Sequence, residues 1–223
     1  MLKIYFDGEL LGFDDDDLKC MYIDEGSEGY VYKCGKDAFK IYKTVCGWRR
    51  LNEEECKRLG SISTKRVLLP EKLIYEEDAK TFIGYSTQFI YKVPQIEILK
   101  MKIPDFVNEL DVIKGDLRTL AYNGVIVNDW HSDNILYNGK MFIGDPGQYE
   151  FKNNVVGSKL FRDNIFSLNK FVKDSVFMLA HLSTKQRRTM EDVFDDFDYV
   201  GEQIRDSMEQ KETVRQFVKR IVR

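Results

Sequence analysis

The sequence is short of the residues that build metal centres and disulfide frameworks. Two histidines stand in 223 residues, which excludes a His-rich metal site. The four cysteines, Cys20, Cys34, Cys46 and Cys56, all fall in the first quarter of the chain and form no C-x-x-C pair. Reduced thiols are expected, ahead of a zinc site. No apolar run approaches the roughly 18 residues of a membrane span. The N-terminal stretch MLKIYFDGELLGFDDDD has an acidic flank rather than the basic-then-apolar order of a secretory signal. A cytoplasmic protein with no membrane partner is therefore expected. Strong charge of one sign is also missing: the net charge is −3, so no nucleic-acid partner is expected. No internal repeat or low-complexity block stands out.

What is present suits a soluble globular protein. Hydrophobic residues make up 43% and charged residues 32%. Fifteen Phe and twelve Tyr can bury a sizeable core. The length fits one large domain or two small lobes.

The first half reads as β-rich. LKCMYID (18–24) and YVYKC (30–34) flank a GSEG break, and AFKIYK (38–43) follows a Gly35-Lys36-Asp37 turn. WRRLNEEECKRLG (48–60) reads as a helix with Leu51, Glu55 and Leu59 on one face and Gly60 as its stop. KLIYEED (72–78) and KTFIGYSTQFIY (80–91) read as a hairpin turning at Asp78-Ala79. The character changes near Lys92-Val93-Pro94, and helical periodicity dominates beyond it. FVNELDVIKGDLRTLAYNG (106–124) reads as a helix through Leu110, Ile113, Leu117 and Leu120. Residues 162–182, 184–194 and roughly 200–222 read as further helices. The expected fold class is α+β, with a β-rich unit over 1–92 and a helical unit over 93–223.

Between these helices lies NDWHSDNILYNGKMFIGDPG (128–147). NILY and KMFIG are short strands joined by Asn138-Gly139, a strong hairpin signal. Asp129 and Asn134 stand five apart on the preceding loop. Asp145 follows the hairpin, eleven residues after Asn134. One carboxylate to take a proton, and a second carboxylate with an amide oxygen to hold Mg²⁺, is the equipment of phosphoryl transfer.

With these residues the chain resembles the protein-kinase-like fold, in an atypical and minimal form of the bacterial or viral Ser/Thr kinase type. The segment is similar to that superfamily's D-x-K/H-x-x-N-I-L loop followed by its D-x-G metal motif. Asp24-Glu25-Gly26-Ser27-Glu28-Gly29-Tyr30-Val31 resembles G-x-G-x-x-G-x-V with its first glycine replaced by aspartate. Ala38-Phe39-Lys40 resembles A-x-K. The resemblance spans roughly residues 18–175. It implies a bilobal architecture, with an antiparallel β-rich N-lobe and a reduced helical C-lobe. It implies ATP and Mg²⁺ as cofactors, Asp129 as catalytic base, and Asn134 and Asp145 as metal ligands. It further implies Lys40 on the α/β phosphates and Glu55 as the partner of Lys40, with Glu53 and Glu54 as solvated alternatives. Gly26, Ser27, Gly29, Val31, Ala38, Lys40, Phe89, Tyr91 and Leu136 would line the nucleotide. Asp163 resembles the aspartate that braces the catalytic loop; alternatively it is a helix N-cap.

Departures accompany the resemblance. Val127-Asn128 precede Asp129 where His-Arg is usual. His131 stands where protein kinases carry Lys, a position commonly His in aminoglycoside- and choline-kinase-like enzymes. The interval from Asp145 to Asp163 is short and has no A-P-E-like motif, and Pro146 replaces the usual Phe. Ser/Thr of a protein is the first expectation for the acceptor. A small-molecule hydroxyl is the alternative, with Asp192, Asp195, Asp196 and Asp198 as an acidic run that would suit a cationic acceptor or be a solvated helix end. A nucleotide-binding pseudokinase acting as an interaction module, and nucleotidyl transfer, complete the set.

Overall fold

The computed structural model describes residues 2–45, 47, 49–130, 132–193 and 211–223, with 190–193 by backbone only. The architecture is mixed α+β and falls into two compact units. One comprises Met1–Thr64, Leu68–Ile90 and Asp145–Tyr149; the other comprises Lys65–Val67, Tyr91–Gly144 and Glu150–Arg223.

The first unit is built on a seven-stranded antiparallel sheet. Its strands are β1 (Leu2–Phe6), β2 (Glu9–Phe13), β3 (Tyr22–Glu25), β4 (Gly29–Cys34), β5 (Asp37–Tyr42), β6 (Lys72–Glu76) and β7 (Phe82–Gln88), in the order β2-β1-β6-β7-β5-β4-β3. The β1–β2 hairpin was not expected. It turns at Asp7-Gly8, both at positive φ (54° and 88°), the backbone that two-residue hairpins favour. One face of the sheet buries Ile4, Phe6, Phe39, Ile41 and Ile74 as a core.

The strand expected over 18–24 is corrected. Helix α1 (Asp15–Met21) takes its first residues, and β3 begins only at Tyr22. The cause is local. The Asp14 carboxylate accepts from Asp16 N (2.9 Å) and Asp17 N (2.8 Å), while Asp17 reaches back to Asp14 N (3.1 Å). Three acidic residues in the first turn also favour the positive end of the helix dipole.

Helix α2 (Glu53–Gly60) is shorter than the 48–60 expected. Asn52 is its N-cap: its side chain accepts from Glu55 N (2.9 Å), and Glu55 accepts from Asn52 N (3.0 Å). Leu51 therefore precedes the helix. Cys56 and Leu59 are its buried residues.

The second unit is organised on α3 (Ile103–Tyr122), which buries Phe106, Leu110, Ile113, Leu117 and Leu120. Strand β8 (Val125–Ile126) pairs antiparallel with β11 (Glu150–Phe151), and β9 (Ile135–Tyr137) with β10 (Met141–Ile143). Helix α4 (Gly157–Phe171) starts five residues earlier than expected and runs into a π-helical turn, Val172–Val176. Helix α5 spans Thr184–Val193, and α6 spans Val214–Ile221. The rings of Phe106, Phe177 and Phe217 pack in sequence, with centroids 6.5 and 6.1 Å apart.

The strap Lys65–Val67 is pinned to α3. The buried Asp116 carboxylate accepts from the backbone N–H groups of Lys65 (2.8 Å), Arg66 (2.6 Å) and Val67 (3.1 Å). Arg66 grips Glu109 through Nε (2.7 Å) and Nη2 (3.2 Å). Among the described residues, no helix is long and apolar enough to cross a membrane.

Candidate functional site

In the first unit the chemistry gathers around Lys40. Val31, Lys40 and Tyr85 are register neighbours across β4, β5 and β7, so their side chains share one sheet face; Ala38 lies two residues along on that face. Lys40 is 8% exposed. Its Nζ lies 2.7 Å from Glu28 Oε2 and also pairs with Asp145. Burial alone would lower the Lys40 pKa, but the Asp145 and Glu28 charges outweigh it and hold the ammonium above its ordinary value. One cation between two carboxylates leaves a formal charge of one negative.

The two carboxylates differ. The Glu28 side chain is 5% exposed, that of Asp145 40%. Glu28 also accepts from Gln148 Nε2. A Cβ on Gly147 would meet this carboxylate, so a side chain there requires Glu28 to shift. Gly29 is constrained more firmly, because the Ile41 backbone carbonyl occupies the space of a side chain. The Gly26 N–H donates to Gly29 O (2.9 Å), closing the turn on itself. Gly26 and Ser27 are exposed, and Val31 and Ala38 are half-buried.

The expected Lys40–Glu55 pair does not form. Glu55 is taken by Arg49 Nη2 (2.6 Å) and by the cap of α2. Arg49 Nη1 donates to Tyr149 O (2.8 Å) and Gly147 O (3.3 Å), which ties the segment after Asp145 to the start of α2. Glu53 pairs with Lys57 (2.6 Å). Glu28, Arg49 and Gln148 escaped the sequence reading. The Asn52-x-x-Glu55 spacing is the signal that assigns Glu55 to a helix cap.

Asp145 sits at φ 49° and accepts the Gly147 N–H (3.3 Å) on the oxygen that faces Lys40. The Tyr85 hydroxyl is fully buried without a hydrogen-bond partner. Burial first, then the nearby Asp145 charge, pushes its pKa well up. Burial likewise pushes the Cys56 thiol up to about 12. A separate cavity of about 1150 Å³ lies near Lys3, Tyr42, Arg50, Glu76 and Phe82, and Lys40 does not line it.

In the second unit, Asp129 stands exposed at φ 62°, a backbone that Asp tolerates better than most residues. Asn134 Nδ2 donates to both the Asp129 carbonyl (2.9 Å) and its carboxylate (3.1 Å). The amide oxygen of Asn134 is left as its acceptor. The loop is braced from three sides. Trp130 Nε1 donates to Val127 O (2.8 Å), Gln95 Nε2 to Ile135 O (3.1 Å), and the buried Asn164 holds Val127 N–H (2.9 Å) and Val125 O (3.2 Å). Asn164 thus does what was expected of Asp163. Asp163 is neither brace nor N-cap, for α4 is capped at Val156.

Of the other expected nucleotide positions, Phe89 in the first unit lies under Lys33 Nζ at 4.8 Å. Tyr91 is 70% exposed, and Leu136 pairs with Phe142 across the β9–β10 hairpin. Asp145 belongs to the first unit; Asp129 and Asn134 belong to the second. His131, Asp195, Asp196, Asp198 and the Asp192 side chain lie outside the described residues.

No protein-family model matches the chain, and no curated protein matches it. Among the described residues, no group of three or more His, Cys, Asp or Glu side chains could hold a metal. The Asp145 carboxylate in the first unit and the Asn134 amide in the second each carry the hard oxygen that suits Mg²⁺, which keeps several waters and needs few protein ligands.

Proposed function

We propose that the protein is an ATP- and Mg²⁺-dependent phosphotransferase of the protein-kinase-like, bilobal type, acting on Ser/Thr of a protein. The observation that carries this reading is Lys40, a buried lysine held between Glu28 and Asp145 beside the glycine turn. A structural lysine does not need two carboxylates, one of them 40% exposed. The half-buried Val31 and Ala38 on the same face offer a floor for a planar base. Lys40 would orient the phosphates. Asp145 would hold Mg²⁺, which supplies neutralisation of phosphate charge, and in the second unit the Asn134 amide oxygen is the other ligand that the resemblance implies. Asp129, exposed and oriented by Asn134, would take the acceptor's proton. The setting we propose is the cytoplasm, where Cys20, Cys34 and Cys56 persist as free thiols.

The test is incubation of wild type and Asp129→Ala with γ-labelled ATP, Mg²⁺ and cell extract. Label on Ser/Thr with wild type alone supports the reading; equal labelling, or none, sinks it. Label transferred from the α-phosphate instead indicates nucleotidyl transfer.

A second reading is a nucleotide-binding module without turnover. It is favoured by Glu28, an acid inside the turn expected to cradle phosphates, and by the Gly26 N–H spent on Gly29. Thermal stabilisation by MgATP with no turnover on any acceptor separates the two.

A further inference from the structure

We infer that Glu28, inside the glycine turn, is the permanent counter-ion of Lys40 and fills the positioning role that the resemblance gives to Glu55; the inference rests on the nucleotide-site reading above. Four observations carry it. The pair is close, at 2.7 Å, with 10% and 5% of the two side chains exposed. The carboxylate accepts from Gln148 Nε2 and lies over the bare Cα of Gly147, where a side chain would displace it. The backbone under it is fixed, since Lys43 N–H donates to Glu28 O at 3.0 Å. The helix glutamate is already committed to Arg49 and to the Asn52 cap.

The division of labour follows from exposure. Lys40 must keep one carboxylate, because a buried ammonium without a counter-charge is strongly disfavoured. Glu28 leaves only by giving up its burial and the Gln148 hydrogen bond, whereas Asp145 lies near water and can turn to a cation. Lys40 then stays charged and directed while Asp145 is released. Neither member of the permanent pair is on a helix: Glu28 lies in the turn immediately before β4 and Lys40 on β5. A shift of α2 therefore leaves the pair intact, and among the described residues Lys40 pairs with no helix side chain.

Two double-mutant cycles test the pairing by thermal unfolding: Lys40→Met with Glu28→Gln, and Lys40→Met with Glu55→Gln. Lys40→Met should lower Tm by roughly 6–15 °C, by stranding Glu28. Adding Glu28→Gln should recover part of that loss, whereas Glu55→Gln should simply add to it. A functional arm titrates Mg²⁺ in the presence of ATP. In Glu28→Gln the half-saturating Mg²⁺ for nucleotide binding should rise at least about fivefold, because Asp145 becomes the only counter-ion of Lys40. Glu28→Asp should restore part of it. An additive Lys40–Glu28 cycle, coupling of Lys40 to Glu55, or an unmoved Mg²⁺ midpoint overturns the inference. A coupled cycle in a wild-type protein that never binds MgATP overturns the nucleotide reading instead, and the positioning role with it.

Discussion

Asn164 holds Val127 by its backbone: the Oδ1 of a fully buried side chain on α4 accepts the Val127 N–H at 2.9 Å, and Nδ2 donates to Val125 O at 3.2 Å. One amide thus satisfies one donor and one acceptor of the strand that leads into Asp129. Asn164→Leu would orphan both. The expected cost is about 2–4 kcal/mol in denaturant unfolding. Asp163→Ala, one position away, should stay within about 0.5 kcal/mol. Equal losses from the two would contradict this assignment.

Gly147→Ala places a methyl against the Glu28 carboxylate. A flexible surface acid would swing aside, but Glu28 is held by Lys40 and Gln148. We expect a loss of about 1–3 kcal/mol and weakened nucleotide binding. A variant as stable as wild type would mean that Glu28 moves freely.

Acid should expose the Arg66–Glu109 pair. Burial raises the Glu109 pKa, but Arg66 and the Met141 N–H outweigh it, so the folded carboxyl titrates below its ordinary value. Its stabilisation is present above the unfolded carboxyl pKa and fades as pH falls through the lower folded one. Unfolding free energy measured from about pH 7 to about pH 3 should fall less steeply in Glu109→Gln than in wild type. Parallel curves would remove Glu109 from the acid response.

The proposed chemistry separates binding from turnover. Asp129→Ala should retain MgATP affinity and lose about 10²–10⁴-fold in rate, the usual contribution of a general base. Asp145→Ala should abolish Mg²⁺-dependent binding itself. Calorimetry alongside labelled-ATP turnover checks both; loss of affinity in Asp129→Ala would place it among the ligands rather than the bases.

Local signals were readable in the sequence, and long-range choices of partner were not. Gly35, Asp78-Ala79 and Asn138-Gly139 each mark a hairpin, and the hairpins form there, because turn backbone is decided by the residues in the turn. Asp7-Gly8 carries the same signal, and the Asp14–Asp17 cap makes residues 18–21 helix rather than strand. The site shows the limit more sharply. Lys40 and Asp145 both stand out in the sequence, and they meet as an ion pair. Glu55 was chosen because it shares a helical face with Leu51 and Leu59, yet Leu51 is not in the helix. Asp163 carries the resemblance, but adjacent residues on a helix point about 100° apart, and it is Asn164 that bonds Val127 and Val125. Glu28 is invisible to periodicity, since nothing in a turn sequence says that an acid will be buried by residues 120 positions away.

The five residues Asp145–Tyr149, grouped with the first unit, impose an order on synthesis. When residues 1–90 have been made, Glu28 and Arg49 have neither Gln148 nor the carbonyls of Gly147 and Tyr149. The sheet must wait until residue 149 has been made, roughly 3–12 s later at ordinary translation rates, before that polar corner is complete. No single cut in the chain separates the units cleanly. A fragment ending at Ile90 would carry a buried lysine with one counter-ion and an arginine with no backbone to hold.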